Sequence, residues 1–328
     1  MSDALDRLHD IEPSVGEFRE AVLAGLAHPR KSLPCKFFYD AEGSRLFDRI
    51  TELPEYYPTR TECRILRDHA GDIAGLIGPG VRLVEFGSGA GIKIRLLLSA
   101  LDRPAAYVPV DISRQHLLTA TARLAREFPG LPIVPVCADY TRPFTLPDHR
   151  PTGAGHDIVP GPAVGFFPGS TIGNFTPAEA RDFLETARCL LGPGSSMILG
   201  IDLRKDEGIL SRAYNDTAGV TAAFNLNLLR RINRELDGTF SLDQFTHAAW
   251  WNARQGRVEM HLVSRRDQEV GIGAHRVRFR AGETIHTENS YKYSLDQARD
   301  LAAGAGYRTR TAWTDDAALF AVLLLTAP

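Results

Sequence analysis

Several absences narrow what this chain of 328 residues can be. Only four cysteines occur, Cys35, Cys63, Cys137 and Cys189, and none of their spacings suits a zinc site or a disulfide framework. They read as the reduced thiols of a cytosolic, cytoplasmic protein. The histidines are scattered, His28, His69, His116, His149 and His156 among them, and form no His-x-x-x-His pair. No metal is therefore expected. No apolar run approaches the roughly 18 residues of a membrane span, and the opening Met1-Ser-Asp-Ala-Leu-Asp6 is too acidic for a signal peptide. Neither sign of charge dominates, with 38 basic against 40 acidic residues and no Lys/Arg run. A duplex-binding protein needs a basic stripe, so neither nucleic acid nor membrane is expected as a partner. Repeats and low-complexity tracts are also missing. At 44% hydrophobic and 24% charged, the chain is of ordinary globular composition and long enough for two lobes.

What is present centres on Leu83-Val-Glu-Phe-Gly-Ser-Gly-Ala-Gly-Ile-Lys93. This reads as a buried strand entering a glycine-rich turn that opens a helix. Glycines let the backbone approach a ligand, and the N–H groups of the following helix offer donors. A glycine turn alone is a weak signal, since many strand–helix connections are glycine-rich for steric reasons. The spacing is Gly-x-Gly-x-Gly, with Ile92 where a dinucleotide fold would place its third glycine. Glu85 stands before the first glycine. A second strand, 106–110, ends in Asp111, where an acid can accept both ribose hydroxyls. Together these features resemble the S-adenosylmethionine site of class I methyltransferases.

Strands at 82–86, 106–111, 133–138, 163–168 and 197–202 alternate with helices at 92–101, 114–127 and 177–190. That order predicts an α/β fold, a doubly wound, Rossmann-like sheet with ligands beyond the carboxyl ends of its strands. Asp139-Tyr140 and Gly169-Ser-Thr-Ile-Gly-Asn174 follow strands, as Gly87 and Asp111 do. Asp139 could also be a plain turn cap, and Asn174 could simply tie its own turn together. Capping boxes are expected at Ser14–Glu17 and Thr176–Glu179. Two last strands, 307–313 and 319–326, suit the closing hairpin of a class I methyltransferase. Residues 205–235 read as helical, and period-two runs at 248–252, 258–264 and 274–279 as a small antiparallel sheet. The expected division is 61–204 plus 292–328 as a cofactor-binding domain, with 1–60 plus 205–291 as a second, α+β substrate-binding lobe.

Five stretches carry a closer resemblance: Lys36-Phe-Phe-Tyr-Asp40, Leu53-Pro-Glu-Tyr-Tyr-Pro-Thr-Arg-Thr-Glu62, Val84-Glu-Phe-Gly-Ser-Gly89, Gly169 to Asn174, and Ala218-Gly-Val-Thr-Ala-Ala-Phe-Asn225. The chain resembles, over almost its whole length, the histidine-specific, S-adenosylmethionine-dependent Nα-methyltransferases of ergothioneine biosynthesis, which trimethylate histidine to hercynine. The resemblance implies cofactor contacts at Gly87, Lys93, Asp111, Asp139 and Tyr140. It implies substrate contacts at Tyr39, Tyr56, Gly169, Asn174, Tyr214, Met260, Glu288 and Ser290, with Tyr39 and Asn174 at the reacting amine. Asn174 and Tyr214 would then grip the carboxylate, and Glu288 with Ser290 the imidazole. Read without it, Glu288 could be a surface acid and Met260 plain core. The family usually carries hydroxyl residues where this chain has Gly91 and Ile94, which points to altered cofactor affinity. A monomer is expected. A different amino acid or amine acceptor, a catalytically silent amino acid-binding protein and a dehydrogenase are the rival readings.

Overall fold

The computed structural model describes residues 8–11, 15–147 and 162–328. Ser14, and with it the capping box expected at Ser14–Glu17, lies outside them, as do His149 and His156. In chain order the elements are β1 (His9–Ile11), α1 (Val15–Ala27), α2 (Ala41–Thr51), α3 (Tyr57–Ile77), β2 (Arg82–Phe86), α4 (Ile92–Leu98), β3 (Ala106–Asp111), α5 (Arg114–Glu127), β4 (Val136–Ala138) and β5 (Ala163–Phe167). There follow α6 (Pro177–Leu191), β6 (Ser196–Asp202), α7 (Glu207–Tyr214), α8 (Val220–Glu235), β7 (Phe245–Asn252), β8 (Arg257–Ser264), β9 (Gln268–Ile272), β10 (His275–Phe279), β11 (Thr284–Tyr291), α9 (Leu295–Gly304), β12 (Arg308–Thr314) and β13 (Phe320–Thr326).

The chain divides into two compact units. Unit 1 holds Met1–Glu12, Pro58–Arg204 and Lys292–Pro328; unit 2 holds Pro13–Tyr57 and Lys205–Tyr291. Unit 1 is built on an eight-stranded sheet ordered β1-β4-β3-β2-β5-β6-β13-β12. Its strands run parallel from β1 to β6, and β13 and β12 close it antiparallel. This is the doubly wound sheet with a terminal hairpin that the strand–helix alternation predicts. The continuous apolar runs of β2, β3, β5 and β13 follow from burial on both faces. Val81, Leu83, Ile94, Leu97, Tyr107, Val164, Phe166, Ile198 and Val322 belong to one buried cluster.

His9–Ile11 pairs with β4 within unit 1, and the chain returns to that unit at Pro58. Three residues without alternation carry no strand signal of their own; the pairing partner makes the strand. Thr176 caps α6 with the expected box: its hydroxyl accepts the Glu179 N–H at 3.3 Å, and the Glu179 carboxylate accepts the Thr176 N–H at 2.8 Å.

Unit 2 has an antiparallel sheet ordered β11-β8-β7, a separate β9–β10 hairpin, and helices α1, α2, α7 and α8. Cys35–Phe38 forms a short 3-10 helix that buries Phe37 and Phe38. The ring of Phe38 stacks on Phe224 of α8 at 4.5 Å, so packing overrides the extended preference of the aromatics. The 205–235 helical region is two helices. Asp216 separates them and accepts the Val220 and Thr221 N–H groups at 2.8 Å each, capping α8.

Candidate active site

In unit 1 the cofactor-type residues gather at the carboxyl ends of β2, β3, β4 and β5. Gly87, Gly89 and Gly91 all have φ between +47° and +73°, a region where a side chain is strained. A Cβ on Gly87 would come within 3.6 Å of the Tyr140 hydroxyl, so the turn after β4 faces the turn after β2. Asp111 ties the loop to β3. Its carboxylate accepts the Gly89 N–H at 3.2 Å and the Ser113 N–H at 2.9 Å. Burial raises its pKa above the ordinary value, while those N–H groups act in the opposite direction. Asp139 accepts from the Thr141 N–H at 3.0 Å and the Thr141 hydroxyl at 2.5 Å, so it does cap its own turn. Tyr140 meets the rings of Phe86, Phe167 and Phe183 edge-on, at 5.7 to 6.3 Å.

Beneath the loop, Glu85 is fully buried and receives the Tyr107 hydroxyl. Burial pushes its pKa up to about 8. Lys93 pairs with Glu62 at 2.6 Å. The turn after β5 places Gly169 (φ +77°) close enough that a Cβ there would meet the Lys93 Nζ at 3.2 Å. Asn174 ends the short 3-10 helix Thr171–Asn174, half-buried, still within unit 1.

Unit 2 assembles a second constellation. Tyr39 meets Phe47 and Phe224 edge-on at 5.8 Å each; Phe47 meets Tyr56 at 6.4 Å; Tyr56 meets Tyr214 at 6.4 Å. The Tyr214 hydroxyl and the Ser290 Oγ are hydrogen-bonded at 2.7 Å. Across the sheet, Glu288 lies opposite Met260 and Ser290 opposite Val258, which puts Glu288, Ser290 and Met260 on one face. A bulge between His286 and Glu288 makes that possible. It turns Thr287 aside, so that Ile285, Glu288 and Ser290 share a face despite the odd spacing. The Thr287 hydroxyl donates to the Met260 carbonyl at 3.1 Å, and a His286 ring nitrogen is 3.1 Å from the Glu288 carbonyl, holding the bulge.

All six unit 2 residues singled out in the sequence are thus brought together: Tyr39, Tyr56, Tyr214, Met260, Glu288 and Ser290. In unit 1, Gly87, Lys93, Asp111, Asp139, Tyr140 and Gly169 are too. Among the described residues no group of His, Cys, Asp and Glu could hold a metal. The glycine turn with its free approach, the strand-end carboxylates and Lys93 suit a zwitterionic nucleoside of the S-adenosylmethionine kind.

Comparison with known proteins points the same way. Residues 18–327 match the family described as histidine-specific methyltransferase, SAM-dependent. The chain belongs to that family. It is 45% identical over 311 residues to the histidine N-alpha-methyltransferase of Mycolicibacterium smegmatis, covering 93% of this chain and 94% of that one. Its identity to the histidine N-alpha-methyltransferase of Mycobacterium tuberculosis is 42%, with the same coverage. To ergothioneine biosynthesis protein 1 of Neurospora crassa it is 31% identical over 294 residues, covering 87% of this chain and 32% of that longer protein.

Positions 91 and 94, where the resemblance leads one to expect hydroxyl residues, are filled in different ways. Ile94 is fully buried in the unit 1 core, so its apolar side chain is absorbed by packing. Gly91 caps α4 in the left-handed conformation, with a Cβ position 3.3 Å from Leu124. Phe47, Phe224 and Glu62 join the site networks without having been singled out. Phe47 falls in a helix whose pattern reads as ordinary amphipathic packing. The motif ending in Glu62 was visible, but nothing in spacing told its acid from a solvated one.

Proposed function

We propose that this methyltransferase transfers three methyl groups from S-adenosylmethionine to the α-amino nitrogen of L-histidine, giving hercynine, within ergothioneine biosynthesis. The observation that carries the acceptor is the continuous contact path Tyr39–Phe47–Tyr56–Tyr214–Ser290, ending on the face shared with Glu288 and Met260. A run of aromatic rings ending beside an acid and a hydroxyl suits an imidazole with two ring nitrogens to satisfy. Glu288 and Ser290 read that ring, Met260 packs against it, and Tyr39 and Tyr56 orient the amine. Gly169 and Asn174 complete the acceptor set, and Gly87, Lys93, Asp111, Asp139 and Tyr140 hold the co-substrate.

The bound sulfonium supplies the methyl group for an in-line displacement. The chain's own residues bind, align and keep water away, and alignment alone can supply much of the barrier reduction. Methyl transfer of this kind needs no metal, and we read the enzyme as metal-independent, monomeric and cytosolic, without nucleic-acid or membrane partners. The Tyr214 hydroxyl, bonded to Ser290, presents its oxygen between the two roles expected for that pair: carboxylate grip and ring recognition.

The test is release of S-adenosylhomocysteine in excess chelator with histidine and, separately, with histamine. Turnover of histidine and little of histamine, which lacks the carboxylate, is expected. Equal turnover would remove the carboxylate grip, and activity restored only by a divalent ion would end the metal-free reading.

A further inference from the structure

Glu62 closes the run Leu53-Pro-Glu-Tyr-Tyr-Pro-Thr-Arg-Thr-Glu62, yet none of the roles above uses it. Its side chain, carried on α3, has no exposed surface. Both carboxylate oxygens face the Gly169 N–H, at 3.1 and 2.8 Å, and one of them is 2.6 Å from the Lys93 ammonium. A carboxylate removed from water persists only where its oxygens meet matched donors, and both donor groups here belong to site residues. The backbone makes room for it. A Cβ on Gly200 of β6 would lie 2.2 Å from the Glu62 Oε1.

The turn that Glu62 holds is pinned again one residue later. Ser170 sits at φ +57°, and its hydroxyl accepts the Asp202 N–H at 2.9 Å. Asp202 in turn pairs with the fully buried Lys292 at 2.7 Å. Gly169 and Ser170 both occupy the left-handed region, so the direction in which the chain leaves β5 toward Asn174 depends on these anchors. An ion pair serving stability alone has no reason to choose a cofactor-side lysine and the backbone of the acceptor-side turn as its two partners.

We propose that Glu62 is a positioning residue that couples the two halves of the reaction centre within unit 1: through Lys93 it sets the co-substrate, and through Gly169 it sets the turn leading to Asn174. The inference rests on the methyltransferase reading. Removing the charge while keeping the shape takes the anionic partner from the Lys93 ammonium and replaces one acceptor oxygen with an NH2 donor that faces other donors.

The test is Glu62→Gln, with initial rates normalised to sites that bind S-adenosylhomocysteine and a melting temperature measured alongside. The expected result is a KM raised about threefold or more for both substrates and a kcat lowered about tenfold or more, because small misplacements of aligned groups are costly in rate. Unchanged constants per binding-competent site, with only a lower melting temperature, would overturn the proposal and leave Glu62 a structural acid. A change confined to the KM for S-adenosylmethionine would overturn the coupling. Should Glu62→Gln not fold, Glu62→Asp keeps the charge but shortens its reach by one methylene, and is read on the same constants. Wild-type turnover of histidine, measured in parallel, separates failure of the functional reading from failure of this one.

Discussion

On the reading proposed above, the two units build recognition from different materials. Unit 1 makes its cofactor-type site mostly from backbone: three glycines of positive φ, strand ends, and a carboxylate, Asp111, that holds the loop by accepting its N–H groups. Unit 2 makes its site from side chains, with aromatic rings in edge contact and one hydroxyl pair above a sheet face. Burial also shifts different ionisable groups in the two. In unit 1 burial raises the pKa of Glu85 and of Asp111. In unit 2 burial lowers the pKa of His247, His261 and His286. A backbone site tolerates little change but reads any compatible ligand, whereas a side-chain site can be retuned one residue at a time. The first is suited to a common co-substrate, the second to a particular acceptor.

That contrast breaks most visibly at Asp111. Loss of a charged acceptor costs about 1.5–3 kcal/mol, so Asp111→Ala is expected to weaken S-adenosylmethionine binding about tenfold or more. It should do so whatever the acceptor. Calorimetric affinity equal to wild type would take Asp111 out of the site.

Glu288→Ala should act on the other side only. An imidazole N–H left unpaired in a desolvated pocket costs about 1–3 kcal/mol, so kcat/KM for histidine should fall about tenfold. Co-substrate affinity should stay as it is. The truncation also removes a charge and opens space, so the relative preference for phenylalanine or tryptophan should rise. A mutant that keeps wild-type discrimination would make Glu288 a surface acid.

A further expectation concerns stability against pH. Glu85 titrates at about 8 in the folded chain against 4.5 ordinarily, so the folded state holds the extra proton between those values. Its contribution is present at low pH and is lost as pH rises through about 8. His261 titrates at about 4 against 6.5, pushed down chiefly by burial and by the neighbouring His286. It stacks between Trp250 and His286, at 4.0 and 4.8 Å, with the Glu259 carboxylate 3.3 Å from its Nε2. Here the unfolded state binds the extra proton, so stability is lost as pH falls from 6.5 through about 4. Thermal melts across pH should show Glu85→Gln removing the loss of stability between 4.5 and about 8, and His261→Gln the loss between 6.5 and about 4. Variants that keep both wild-type slopes would contradict these assignments.

How much of this was legible follows from the same contrast. The parallel sheet, the glycine turn, Asp111 and the Thr176–Glu179 box were readable because backbone geometry dictates residue type locally. The three residues of β1 were not, since they owe their conformation to β4, a partner strand distant in sequence. The bulge at Thr287 carries no local signal either, yet it decides which side chains share a face with Met260. Tyr39 and Glu288 could be named only through the family resemblance. Glu62 was visible within a motif, but its function depends on Gly169, which is 107 residues away in the chain.

The most direct test of the central claim is mass spectrometry of the product formed from S-adenosylmethionine and the twenty amino acids in competition. The expected product is histidine carrying three methyl groups, all on the α-nitrogen. Methylation of an imidazole nitrogen, or of another amino acid in preference to histidine, would contradict the account.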